Sequence, residues 1–112
     1  MRYLLLLYGD ETAELSLGTE ERRAIMQAHT DFAEAMRGRG WLLEGEPLQA
    51  SSTAVVVREG GMITDGPFIE TKEQLGGYYL VDCPGLDAAI EAARAVPPSP
   101  GLRVEVRPLA EM

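Results

Sequence analysis

His29 is the only histidine in the chain, and it stands four residues after Ile25, three before Phe32 and seven before Met36. At helical periodicity this spacing puts the ring on the apolar side of one helix, facing inward. An inward imidazole has two uses. It can be a neutral core histidine satisfied by one or two hydrogen bonds, or, oriented by a carboxylate, it can take and return a proton near neutral pH. The second use needs an acidic partner, and the stretch "TDGPFIETKEQLGGYY" from Thr64 to Tyr79 supplies candidates in Asp65 and, after it, Glu70. Asp65 also has a purely structural use: in Asp-Gly-Pro the carboxylate bonds nearby backbone, the glycine is free to take a positive φ and the proline fixes the chain, which makes a sharp turn. Lys72 in the same stretch and Arg107 near the C-terminus are the cations that would hold an anionic substrate. The competing reading is a solvated loop and a solvated edge, where Glu70, Lys72 and Glu73 form exposed pairs worth roughly 0 to 1 kcal/mol each.

Other chemistries find less support. Cys83 ends an apolar strand with no cation beside it, a poor setting for a thiolate nucleophile. One histidine, one cysteine and scattered carboxylates have no zinc spacing, and Gly76-Gly77 is not followed by the lysine and hydroxyl of a phosphate loop, so no metal and no cofactor are expected. With a formal net charge of -8, attraction to a phosphate backbone or an anionic lipid surface is disfavoured. A single cysteine allows no internal disulfide, and the apolar run in "MRYLLLLYGDE" is too short to span a bilayer, so a cytoplasmic protein with neither nucleic acid nor membrane as direct partner is expected.

The 112 residues suffice for one domain, and 46% hydrophobic with 25% charged residues is the composition of a folded globular chain. Arg2 to Tyr8 reads as a strand apolar on both faces. From Thr19 a helix is expected, with the threonine as N-cap, acids in its first turn and Gly38 and Gly40 as stop signals. Strands follow at Trp41 to Leu48 and at Thr53 to Arg58, then a turn at Glu59-Gly60-Gly61 and a return strand from Met62. Gly77 to Asp82 reads as a central strand, with a bulge or close backbone approach at Gly76-Gly77. Leu86 to Val96 is a second helix, and Arg103 to Leu109 alternates as an edge strand. This order predicts an α+β, ferredoxin-like fold with a hairpin inserted in its middle. Two helices cover one sheet face, so the other predicts a face-to-face homodimer.

The run "DGPFIETKEQLGGYYLVD", Asp65 to Asp82, closely resembles the signature of the DGPF group within the YCII-related proteins, and "YLLLLYGDE", "AHTDFAEAMRGRG" and "VEVRPL" extend the likeness over most of the chain. The resemblance implies a dimeric α/β barrel, and a histidine and aspartate as active-site pair, which here are His29 and Asp65. It also implies, for some members, an association with extracytoplasmic-function sigma factors. Two functions are therefore expected. One is a small cofactor-independent enzyme acting on a small organic, anionic molecule, with His29 and Asp65 catalytic and Glu70, Lys72 and Arg107 binding substrate. The other is a non-catalytic ligand-binding or regulatory partner linked to a sigma factor.

Overall fold

The computed structural model describes residues 1–67 and 73–111. The chain runs through β1 (Arg2–Asp10), α1 (Glu11–Leu15), α2 (Thr19–Gly38), β2 (Leu42–Pro47), β3 (Val55–Val57), β4 (Ile63–Asp65), β5 (Glu73–Asp82), α3 (Leu86–Ala95) and β6 (Arg103–Pro108). β1, β2, β5 and β6 form one sheet in the order β2-β5-β1-β6, with every neighbouring pair antiparallel. With the β3-β4 hairpin set aside as an insertion, this is the ferredoxin-like strand order. The sheet is open and does not close on itself as a barrel.

Alternation along the strands decides what is buried. Tyr3 and Leu5 on β1 and Val81 on β5 point to the face covered by α2 and α3, where they pack with Phe32, Met36, Ala89, Ala92 and Val96. Leu5 and Val81 are fully buried. Leu4 and Leu6 point the other way, opposite Leu80 and Tyr78. This second face has an apolar centre bordered by Glu44 and Glu46 of β2 and by Arg107 and Glu105 of β6. Among the described residues no helix lies over it, and these side chains are half-buried. β1 is thus covered on one face, where its unbroken apolar run had suggested burial on both.

One local expectation is corrected by cap geometry, and one element is added that the sequence reading did not offer. Thr19 is the first residue of α2, not its N-cap; Gly18 holds that position, without a side-chain bond. The five-residue α1 has no hydrophobic periodicity to announce it and exists because the Asp10 carboxylate accepts the Ala13 N–H at 3.0 Å, capping its first turn. The hairpin turn does follow the sequence: Gly60 and Gly61 both take positive φ, at 89° and 87°, a conformation that side-chain-bearing residues resist. A β-bulge lies where Leu7 pairs Gly77 and Tyr8 pairs Leu75, leaving Gly76 as the extra residue.

Because Leu5 is enclosed by both helices and the sheet, Leu5→Ala is expected to lower unfolding free energy by about 2 to 5 kcal/mol. Urea denaturation followed by circular dichroism measures this, and a loss below about 1 kcal/mol would show the core to be placed elsewhere.

Candidate functional site

The C-terminal part of α2 is fastened to the sheet by Phe32 and Met36, while the part before it, carrying Ile25, Met26 and His29, stands over a cavity of about 660 Å³. The floor is the sheet around the bulge, including Leu7, Gly76, Gly77 and Tyr79; the remaining walls include α1 and the end of β2 with the segment after it, from Glu46 to Ala50. The volume suits a small organic molecule, and the lining is mostly aliphatic. Glu11 Oε1 accepts the Ser51 N–H at 2.7 Å, which ties α1 to the loop on the far side of the opening.

His29 projects into this cavity from α2, and its Nδ1 lies 2.7 Å from the Tyr79 hydroxyl. The two rings are nearly parallel, 20° apart, with centroids at 6.0 Å. Tyr79 is fixed from two further sides. Phe32 packs against its ring at 4.8 Å, and Gly45 lies beneath it so closely that a Cβ there would run into the ring. A smaller recess of about 260 Å³, lined by Glu34 and Arg37 among others, also touches His29 and Tyr79.

Burial lowers the His29 pKa from 6.5, so the ring is neutral at neutral pH. Burial raises the Tyr79 pKa, partly offset by Arg37, so the phenol keeps its proton. Two neutral groups each able to donate and accept share one hydrogen bond, and among the described residues the ring makes no other. Its Nε2 remains for a ligand. Glu14 is the other group with an altered acidity in the cavity wall: burial first, then the charges of Glu11 and Asp10, raise its pKa above 4.5. Arg22 also lines the cavity, with Nη2 donating to the Leu15 carbonyl at 2.8 Å and Nε to the Leu17 carbonyl at 3.2 Å.

The residues singled out in the sequence are dispersed. His29 is inward, as its spacing required. Asp65 ends β4 in the separate hairpin, is exposed and pairs with Val55. The partner at His29 Nδ1 is thus the Tyr79 phenol, not the Asp65 carboxylate. The turn after Asp65 is made by close approach: the Gly66 N–H donates to the Ala54 carbonyl at 2.7 Å, a Cβ at Gly66 would meet Ala54 at 2.9 Å, and its φ is not positive. Arg107 lies on the uncovered sheet face, ion-paired with Glu105 and away from the cavity. Glu70 and Lys72 fall outside the described residues. Sequence reading passed over Tyr79, Glu14 and Arg22, since nothing in their local pattern separates a tyrosine on a sheet floor from any core aromatic.

The YCII-related domain family matches this chain over residues 1–112. The chain belongs to that family. This YCII-related chain is also similar to an uncharacterized protein of Rhizobium meliloti (strain 1021), with 37% identity over 116 residues covering 98% of this chain and 93% of the relative.

Two measurements check the site of this YCII-related chain. An imidazole harder to protonate in the fold than in the unfolded chain makes the unfolded state bind more protons just below pH 6.5, so stability contributed there is lost as pH falls towards the depressed value. His29→Asn is expected to flatten that part of the stability profile in pH-dependent thermal melts. Gly45→Ala is expected to displace the Tyr79 ring, return the His29 pKa towards 6.5 and cost about 1 to 3 kcal/mol; proton NMR titration of the single histidine reads the shift.

Proposed function

We propose that the chain binds a small organic molecule in the larger cavity and transfers a proton to or from it at His29 Nε2. The observation that carries this reading is the neutral His29 ring, held by the Tyr79 hydroxyl at 2.7 Å on the wall of a largely apolar cavity. A neutral imidazole is competent as a base, and the phenol beside Nδ1 can fix its tautomer and stabilise the imidazolium that forms. In this reading Tyr79 is the positioning residue, and the Asp65 carboxylate suggested by the resemblance acts on the hairpin that it terminates. The cavity favours a ligand-handling protein over the alternative of a purely regulatory partner, which would need no such space.

We further propose that two copies pair through the uncovered sheet face, because Leu4, Leu6, Tyr78 and Leu80 form a contiguous apolar centre that one chain leaves in water. Light scattering at micromolar concentration is expected to give the mass of two chains, and Leu6→Glu is expected to shift it to one.

For the catalytic reading, purified wild type and the variants His29→Asn, Tyr79→Phe and Asp65→Asn are to be incubated with a library of small metabolites in deuterated water, with exchange or conversion followed by mass spectrometry. His29→Asn is expected to abolish turnover, Tyr79→Phe to lower it about 10- to 100-fold with a changed pH profile, and Asp65→Asn to leave it within about twofold. Full activity in His29→Asn would overturn the proposal.

A further inference from the structure

The charges around the larger cavity are unequal. Among the described residues that line it, Glu11 and Glu14 bring carboxylates and Arg22 the one guanidinium, while the Glu46 side chain belongs to the uncovered sheet face. Arg22 is turned to the carbonyls of Leu15 and Leu17, which consumes two of its donor directions at the end of α1. Glu11 is engaged too, by the Ser51 N–H. Glu14 is different. Its Oε1 lies over the backbone of Gly9, where a Cβ would come within 2.6 Å of it, and among the described residues no hydrogen bond or ion pair satisfies its carboxylate. It thus presents an unpaired acceptor at one end of the cavity while His29 stands in the wall formed by α2.

We propose that the cavity ligand is an organic amine, its apolar body against the aliphatic walls and its ammonium group on the Glu14 carboxylate. This rests on the cavity being the ligand site and specifies what occupies it. A carboxylate partly removed from water, with no cation of its own, is matched by a ligand that carries one, through a charge-assisted hydrogen bond stronger than a neutral one. The surrounding groups push the same way. Asp10 and Glu11 add negative potential beside Glu14, and among the described residues lining the cavity the cationic counterweight is the Arg22 guanidinium, already bonded to backbone. His29 is neutral near pH 7 and adds no opposing charge. The whole chain, at -8, steers cations inward and anions away. Arg107, one of the cations expected to hold an anion, lies on the other face of the sheet.

The inference is tested with three probes of one shape and different charge: phenethylamine, phenethyl alcohol and phenylacetate, titrated into isotopically labelled wild type and Glu14→Gln with NMR detection. The amine is expected to shift cavity resonances and to bind about tenfold or more tighter than phenylacetate, and Glu14→Gln is expected to erase that preference while leaving the alcohol unchanged. A direct readout in the wild-type protein is the carbon-13 titration of the Glu14 carboxyl, whose pKa is expected to fall when phenethylamine is bound. Phenylacetate or the alcohol binding as tightly as the amine, or a Glu14 titration unmoved by it, would overturn the amine assignment and leave the cavity as a ligand site. Binding of none of the three to the wild type would overturn the cavity reading and this assignment with it.

Discussion

Two helices cannot cover both faces of a four-stranded sheet, and that limit organises the whole molecule. α2 and α3 lie together over the face bearing Tyr3, Leu5 and Val81, where a dry core forms. The other face keeps Leu4, Leu6, Tyr78 and Leu80 without cover from its own chain. The helix layer is also too short to seal the sheet along its whole length. α2 is fixed at its C-terminal half by Phe32 and Met36, and by Arg39, which pairs with Glu91 of α3 at 2.9 Å and lies over the Trp41 ring. Its N-terminal half is left standing above the bulged ends of β1 and β5, and the cavity is the space beneath it.

The bulge and the glycines around it shape that space. Inserting Gly76 opposite the Leu7/Tyr8 step lets β5 change its twist, and the missing side chain at Gly45 lets the Tyr79 ring lie flat on β2. A tyrosine held on the floor in this way presents its hydroxyl to a helix passing above, and the residue of α2 at that level is His29. The polar pair at the site is therefore a consequence of packing: the ring contacts fix Tyr79, Tyr79 fixes the imidazole, and burial keeps both neutral.

Glu14 and His29 show how one cavity can hold two chemical environments. Around His29 the neighbours are aromatic and the hydrogen bond joins neutral groups. Around Glu14 the neighbours are other carboxylates, supplied by a five-residue helix that follows β1 directly. Burial acts on both, lowering the acidity of the carboxyl and the basicity of the imidazole, so both groups are pushed towards their neutral forms.

By itself the sequence determined the order of the strands and the two longer helices, the inward direction of His29, the hairpin turn at Gly60-Gly61 and an irregularity, a bulge or a close approach, at Gly76-Gly77. Each of these is local: hydrophobic period, a positive φ that only glycine takes easily, or an extra residue in a ladder is written within a few neighbouring positions. The signature stretch from Asp65 to Asp82 also placed the chain in its family, because a long ordered match does not depend on three-dimensional contacts. Which residue meets His29 was not written in that way. Tyr79 lies 50 positions along the chain and reaches the ring only through the pairing of β5 with β2 and the packing of α2 across both. The same holds for Glu14, an unremarkable acid in an exposed helix until the fold brings it to the mouth of the cavity. Partnership across a fold depends on register, twist and crossing direction together, and these are settled by the packing of the whole core, not by any single segment.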